Sequence, residues 1–152
     1  MASVPPFQQT LEAHADAVWR YLRGMVGGEA AEDCFQETFL AALRAYPRLD
    51  PDSNLRAWLL TIAHRKAIDH LRRRRRGQPE QLGDEIEAER EPESDGAIWG
   101  SVAMLPPRQR AAVLLRYGAD LRHREIAVAI GCSEEAARRS LHEGLKRLRE
   151  TL

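Results

Sequence analysis

The chain has little of what several protein classes require. Its 152 residues include only two cysteines, Cys34 and Cys132, which lie far apart, so neither a disulfide framework nor a cysteine-based metal site is expected. It contains no run of about 18 apolar residues, so membrane insertion is not expected. Its first residues lack the basic and apolar segments of a signal peptide, which predicts a cytoplasmic location.

Sequence signatures of catalysis are missing as well. The chain shows no glycine-rich phosphate loop, zinc spacing or nucleophile motif, so an enzyme is the least favoured class, and neither a catalytic residue nor a cofactor is predicted. His64 and His70 have no further metal ligands nearby in the sequence. Aromatic residues make up only 6%, whereas alanine, leucine and arginine are abundant. This composition favours helices over strands and predicts an all-α protein.

The formal net charge is zero, but the charges are not evenly distributed. Residues 64–76 are strongly basic, and residues 77–96 are strongly acidic and contain prolines and glycines without an apolar period. We interpret 77–96 as an acidic linker between two small helical domains, 7–76 and 97–152.

Three helices are predicted in the first domain, at 7–23, 29–46 and 54–75. Their apolar residues recur at spacings of three and four, as expected for helices with one buried face. The first helix is expected to end before Gly24. The side chains expected to face the core are Phe35, Phe39 and Leu43 on the second helix and Trp58, Ile62, Ile68 and Leu71 on the third.

The second domain contains a helix-turn-helix pattern. Gly131 can adopt the left-handed conformation that ends the helix 122–130, and Ser133 can cap the helix that follows. Such a second helix can enter the major groove of DNA. Its exposed basic residues are Arg138, Arg139, Lys146, Arg147 and Arg149. A plain helical hairpin with a solvated charged face is the alternative.

Arg72–Arg76 form a run of five arginines at the end of the third helix. Cations are favourable at a helix C-terminus, but only by about 0.3–1 kcal/mol each. Contact with polyphosphate explains the run better than a solvated helix end does. Trp58 could stack on an unpaired base, although its spacing from Ile62 favours a core position.

Taken together, these segments resemble the extracytoplasmic-function (ECF) group of bacterial RNA polymerase sigma factors over nearly the whole chain. Residues 31–39 (AEDCFQETF) resemble the region 2 helix, and residues 55–63 (LRAWLLTIA), continuing to the arginines, resemble the promoter-melting helix. Residues 105–110 (LPPRQR) and 125–127 (EIA) resemble region 4. The order and spacing of the motifs make the resemblance specific.

The resemblance implies a sigma factor that binds core RNA polymerase and promoter DNA and is held by an anti-sigma factor. The residues matching the face that docks on the polymerase clamp helices are Asp33, Gln36, Glu37, Leu40 and Arg44. Those matching the minus-ten contact are Asn54, Arg56, Trp58, Arg65, Lys66, Asp69, Arg72 and Arg73. Those matching the minus-thirty-five contact are Ser133, Glu134, Glu135, Arg138, Arg139 and His142. Val113–Leu115 lie where the family contacts the polymerase flap, and the acidic linker matches the segment that threads toward the catalytic cleft.

The chain departs from the family pattern at Arg65, Lys66, Ala136 and Glu143. Arg65, Ala136 and Glu143 motivate a second hypothesis, a sigma-like regulator that binds polymerase without independent promoter recognition. A third hypothesis is a simple helix-turn-helix transcription regulator. The polar face that includes Asp33 and Glu37 argues against the third, because a lone regulator has no use for it.

Overall fold

The computed structural model describes residues 5–77 and 96–151. These residues form seven α-helices and no strand, which confirms the predicted all-α class. The acidic linker predicted at 77–96 lies outside the described residues apart from Gly77 and Gly96. Within the described ranges, no helix combines the length and the apolar composition needed to cross a membrane.

Helix α1 spans Phe7–Val26 and ends at Gly27, whose φ of 89° is a backbone conformation that glycine adopts readily. The predicted end before Gly24 is wrong, because Gly24 lies inside the helix. Its missing side chain leaves room for Leu114, whose Cδ1 would lie 2.7 Å from a Cβ placed on Gly24. This glycine therefore serves close packing and does not end the helix.

Helix α2 spans Gly28–Ala45 and packs against both α1 and α3. The predicted core stripe is only partly correct: Phe39 is buried and Phe35 packs at the edge of the core, but Leu43 is 51% exposed. The buried side chains of α2 are mainly small ones: Ala30, Ala31, Cys34, Thr38, Phe39 and Ala42. Small side chains let α2 approach two helices at once, and this turns Leu43 outward.

Helix α3 spans Leu55–Gly77 and follows a 3-10 turn, Tyr46–Arg48. Asn54 caps it, because its Oδ1 accepts a hydrogen bond of 3.2 Å from the Ala57 amide. The fully buried side chains of α3 are Leu59, Leu60, Ala63 and Ala67. The side chains predicted to face the core, Trp58, Ile62, Ile68 and Leu71, are only partly buried at its margin. The helix thus turns the face with Leu59, Leu60, Ala63 and Ala67 toward its neighbours and leaves the predicted apolar stripe at the rim.

The second half of the chain contains four short-to-medium helices. Helix α4 spans Gly96–Ala103, and α5 spans Pro107–Val113 and continues into a π-helical turn, Leu114–Gly118. Helix α6 spans His123–Ile130 and α7 spans Glu134–Thr151. Pro107 occupies the start of α5, where its missing N–H has no intrahelical partner to lose. Helices α5, α6 and α7 pack against one another.

The two halves also pack against each other. Helix α1 contacts α4, α5 and the π-helical turn, and α3 contacts α6. The buried apolar side chains of both halves form one continuous cluster. Arg110, only 6% exposed, donates to the Met25 carbonyl at 2.7 Å and to the Leu105 carbonyl at 3.1 Å. The first of these bonds joins the end of α1 to α5.

Candidate nucleic-acid and protein interfaces

The outer face of α2 carries the five residues predicted to bind polymerase. Their spacing of three and four places them on one side of the helix. Leu40 is 52% exposed, and Leu43 lies beside it at 51%. The predicted polymerase-binding residues on this face are Asp33, Gln36, Glu37, Leu40 and Arg44. The face is polar at its start and partly apolar near its end, a mixture suited to binding a protein partner.

A second exposed face adjoins it on α3. Arg65, Asp69, Arg72 and Arg73 are exposed, and they lie at helical spacings on one side of α3. Arg73 Nη2 lies 4.0 Å from Glu37 Oε2, so the cationic side of α3 meets the polar side of α2. Lysines and arginines in such an array attract phosphates. These residues thus form one half of the predicted minus-ten set.

Three further members of that set lie at the start of α3, and two of them contact the second domain. Asn54 Nδ2 donates to Glu125 Oε2, and Arg56 Nη1 donates to the Ala119 carbonyl at 3.4 Å. Trp58 is partly buried, with its ring centroid 6.1 Å from that of Tyr46. Trp58 therefore lies at the margin of the core, whereas its spacing had predicted a position within it. The predicted minus-ten residues do not form one open surface in this arrangement, and Lys66 is also only partly exposed.

The helix-turn-helix forms as predicted. Gly131 ends α6 with φ 74° and ψ 43°, the left-handed conformation, and its amide donates to the Ala127 carbonyl. Ser133 Oγ accepts from the Ala136 amide at 3.0 Å, which caps α7. At the start of α6, the Arg122 amide donates to Glu125 Oε1 at 2.8 Å. Local capping thus sets the angle between α6 and α7.

The exposed face of α7 contains the predicted minus-thirty-five residues. All six are exposed: Ser133, Glu134, Glu135, Arg138, Arg139 and His142. Arg138 Nη2 lies 2.9 Å from Glu134 Oε1, and Arg139 Nη2 lies 3.9 Å from Glu135 Oε1. Pairs this exposed contribute little to stability and exchange readily with solvent or phosphate. The arginines of the recognition face are therefore available, but each has an acidic neighbour.

Two titratable groups are held neutral beneath these surfaces. The Tyr21 hydroxyl and His64 Nδ1 share a hydrogen bond of 2.7 Å, and burial, aided by Arg108 and Arg65, lowers the pKa of His64 to about 4. Burial, aided by Glu37, raises the pKa of Cys34 to about 11. In the described part of the chain, no group of three or more His, Cys, Asp or Glu side chains could hold a metal ion.

Some residues that organise these surfaces were not predicted from the sequence. Arg110 follows Arg108 and Gln109 and looks like a surface residue in the sequence, so nothing there marks it as a buried charge. Gly144 lies inside α7, where glycine has a low helix propensity, but a Cβ there would lie 3.0 Å from Val113 Cγ2 and 3.4 Å from the Gln109 carbonyl. Gly144 therefore lets α7 approach α5. Val113, Leu114 and Leu115, which match the flap contact, are all buried.

Family models cover both halves of the chain. The model described as Sigma-70 region 2 matches residues 10–77, and the one described as Sigma-70, region 4 matches residues 96–148. Among characterised relatives, the RNA polymerase sigma factor CarQ of Myxococcus xanthus is 32% identical over 96% of this chain and 88% of its own length. The ECF RNA polymerase sigma factor BldN of Streptomyces coelicolor is also 32% identical over 96% of this chain, which spans 60% of BldN.

Two solved structures share the fold over nearly the whole chain. CnrH, in complex with the cytosolic domain of CnrY, has a TM-score of 0.71 and 26% identity and covers 95% of this chain and 85% of its own. RpoE of Bartonella quintana, in complex with the anti-sigma factor NepR, has a TM-score of 0.84 and 24% identity and covers 97% of each chain.

Proposed function

The chain belongs to the extracytoplasmic-function group of the sigma-70 family, and from this premise we propose that it binds core RNA polymerase and directs it to specific promoters. Members of this family are transcription initiation factors and not enzymes. In this proposal residues 7–76 act as region 2, residues 77–96 link the two domains, and residues 97–152 act as region 4. The family matches at 10–77 and 96–148 support these bounds.

Helix α2 binds the polymerase clamp helices through its outer face in this proposal. Asp33, Glu37 and Arg44 supply charge, and Leu40 supplies exposed apolar area at the same side. Interfaces of this kind combine an apolar anchor with a polar rim. Gln36 lies between the two acids and adds an amide that can both donate and accept hydrogen bonds.

Helix α3 captures and opens the minus-ten element. The backbone of the melted strand is contacted by four cationic residues: Arg65, Lys66, Arg72 and Arg73. Further contacts to this element come from Asn54, Arg56, Trp58 and Asp69. Unpaired bases are held by stacking and by an adjacent cationic groove. Trp58 is only partly buried, so part of its side chain is accessible for such a contact.

Helix α7 reads the minus-thirty-five element in the major groove. Arg138 and Arg139 lie in its first half, from which side chains reach base edges, and Glu134 and Glu135 can accept from cytosine amino groups. Ser133 and His142 flank them. Arg147 and Lys146, further along and exposed, contact phosphates.

One observation carries the proposal: the cationic face of α3 lies directly beside the polar face of α2, joined at Arg73 and Glu37. A chain that only bound DNA would have no use for this neighbouring surface. The test is in vitro transcription with the cognate core polymerase on fragmented genomic DNA, read by sequencing. Defined start sites that need both the chain and core enzyme are expected, and their absence would contradict the proposal.

Matched variants separate the three contacts. Asp33→Ala with Glu37→Ala is expected to weaken core binding, whereas Arg72→Ala with Arg73→Ala should leave core binding intact and impair duplex opening. Arg138→Ala with Arg139→Ala should reduce discrimination between promoters with different minus-thirty-five sequences. Arg20→Ala, which removes an exposed arginine of α1 outside all three surfaces, is the control and should transcribe normally.

A second candidate function has one observation in its favour. Both arginines of the recognition face are paired with acids on the same helix, and Glu143 adds a further acid where the family commonly has a basic residue. Such a surface would fit a sigma-like regulator that binds polymerase but does not recognise promoter DNA by itself. Co-purification with core enzyme, together with no protection of any promoter DNA, would favour this candidate.

An anti-sigma factor is the further partner that we propose. The solved relative CnrH is bound to the cytosolic domain of CnrY. A chain whose partners are polymerase, promoter DNA and such an inhibitor works in the cytoplasm. Affinity purification of the tagged chain from cells grown without stress should recover one small partner in a stoichiometric amount.

A further inference from the structure

We infer that promoter selection by this chain depends mainly on the minus-ten element, because the helix assigned to the minus-thirty-five element sets its own acids against its own arginines. Glu135 and Glu143 are then specificity-determining residues that weaken the minus-thirty-five contact. The inference rests on the proposed function and deepens it, since it says which of the two DNA-binding helices supplies the affinity. The charges of α3 and α7 and the contacts of the acids on α7 carry it.

The second half of α3 has a large excess of positive charge. Between residues 65 and 76 it contains seven lysines and arginines and one acid, Asp69. Five of the seven cations are exposed: Arg65, Arg72, Arg73, Arg75 and Arg76. Phosphate contacts supply a large share of the affinity of proteins for nucleic acids. This helix can therefore hold DNA strongly whatever its sequence.

Helix α7 is almost neutral by comparison. Residues 134–151 contain five lysines and arginines and four glutamates, and the first half of the helix holds two of each. There Arg138 Nη2 lies 2.9 Å from Glu134 Oε1, and Arg139 Nη2 lies 3.9 Å from Glu135 Oε1. A guanidinium has to leave or share its carboxylate before it can contact a base or a phosphate. Each pair therefore reduces what its arginine contributes to DNA binding.

Glu143 places a further acid beside Arg139. Glu135 lies four residues before this arginine and Glu143 four residues after it, so Arg139 stands between two acids on one side of the helix. Gln109 Nε2 of α5 donates to Glu143 Oε2 at 3.3 Å, so the neighbouring helix fixes the position of this acid. Both acids are exposed, and they repel phosphates that approach this side of α7.

The difference in charge is large enough to decide which helix contributes more affinity. The positive excess is six in residues 65–76 of α3 and one in α7. If each excess charge neutralises one phosphate, raising the salt from 50 to 200 mM weakens single-strand binding by α3 about 300-fold and duplex binding by α7 about threefold. A helix that adds little electrostatic affinity loses little when its DNA element is changed.

Two altered promoters test the inference with the full chain and its cognate core polymerase. The template is the strongest promoter recovered in the genomic transcription experiment, with either the minus-ten or the minus-thirty-five sequence scrambled. Scrambling the minus-thirty-five element should lower the yield of transcript by no more than about threefold. Scrambling the minus-ten element should lower it at least about 30-fold, because several mismatched positions add up. Equal losses from the two changes would overturn the inference.

Removal of the two acids should make the minus-thirty-five element matter. Glu135→Gln with Glu143→Gln frees Arg139 from both carboxylates, and the introduced amide at position 143 can still accept from Gln109. Scrambling the minus-thirty-five element should then cost at least about tenfold, and the logarithmic salt dependence of initiation should steepen by about 1.8. Glu150→Gln, which removes an exposed acid from the last turn of the same helix, is the control and should respond as the wild type does.

The possible outcomes separate this inference from the proposed function. A double variant that tolerates the scrambled minus-thirty-five element as well as the wild type, with the same salt dependence, would overturn the role of the two acids. Circular dichroism checks its helix content, and if that falls, each single variant should give half the change in salt dependence. Defined start sites that need both elements equally would leave the proposed function standing without the inference. If no start site needs the chain, both are wrong.

Discussion

At the scale of single residues, the fold keeps two titratable side chains in their neutral forms. Cys34 is 1% exposed, and its Sγ donates a long hydrogen bond of 3.8 Å to the Lys66 carbonyl. His64 is partly buried against Tyr21. In both cases burial is the largest cause of the altered pKa, because the charged form loses its hydration. Cys34 therefore serves as a small packed side chain in the core.

Cys34 should react slowly with alkylating agents in the folded chain. Its pKa of about 11 leaves roughly one thiol in a thousand ionised at pH 8, about 100-fold fewer than the ordinary value would. Iodoacetamide labelling followed by mass spectrometry should show at least this slowing relative to the chain in concentrated urea. Similar rates in the two conditions would contradict it, and the rate at Cys132 provides an internal comparison.

His64 should make stability depend on pH in the acidic range. Because its pKa is lowered from 6.5 to about 4, the unfolded chain binds the proton first as the pH falls. The free energy of unfolding should be unaffected above pH 6.5 and should fall by about 3 kcal/mol between pH 6.5 and pH 4.

The variant His64→Gln isolates this contribution, because its amide does not titrate and can still bond with Tyr21. Urea unfolding at pH 4.5, 5.5, 6.5 and 7.5 should give a shallower dependence for the variant than for the wild type. Parallel curves for the two proteins would show that another group causes the acid sensitivity.

At the scale of helices, the described glycines differ in what they do. Gly27 and Gly131 have positive φ and end helices. Gly144 lies inside α7 at its contact with α5, whereas Gly100 lies inside α4 with no atom within 4 Å of a Cβ placed on it. Sequence alone treats the last two alike, because each is a glycine inside a helix with the same propensity cost. Only the neighbouring helix distinguishes them.

Alanine substitution should therefore affect these two glycines in opposite ways. Gly100→Ala should stabilise the chain by up to about 1 kcal/mol, the difference in helix propensity. Gly144→Ala should lose that gain and lower the melting temperature, because the added Cβ would lie 3.0 Å from Cγ2 of the buried Val113, which has little room to move aside. Thermal unfolding followed by circular dichroism measures both, and an equal rise in the two variants would rule out the packing role of Gly144.

Helix α2 shows that the spacing of apolar residues can predict a helix correctly and still misplace its buried face. The spacing of Phe35, Phe39 and Leu43 correctly indicated an amphipathic helix, but the buried face is turned toward Cys34, Thr38 and Ala42. A pattern of large apolar residues locates the core side when a helix has one neighbour. Helix α2 has two, so its small residues face inward, and Leu43 is left beside the proposed polymerase surface.

At the scale of the whole molecule, a single apolar cluster runs through both halves although the sequence divides them with an acidic segment. The zero net charge likewise hides a cationic face on α3. Folding thus packs together two halves of the chain that the acidic segment separates in the sequence. The consequence is that the two halves should share one unfolding transition as long as their contacts hold.

Calorimetry should show this coupling directly. The wild type is expected to unfold in a single transition, whereas Arg110→Met, which keeps apolar volume but removes the bond to Met25, should unfold in two. The upper transition should match one isolated half in enthalpy. Two transitions already present in the wild type would show that the halves are thermodynamically independent.

The presence of the helices, the caps at Gly131 and Ser133 and the helix-turn-helix followed from the sequence by itself, because they depend on hydrogen bonds and propensities within about one helical turn; the end of α1 did not. Gly131 and Ser133 could be assigned from their neighbours alone. The tertiary structure decided what those helices face. The Asn54–Glu125 and Arg110–Met25 bonds join residues 71 and 85 positions apart, and no local pattern encodes such a pairing. Burial depends on which distant surfaces meet, so only the packed chain reveals that part of the predicted DNA surface lies against its own helix-turn-helix.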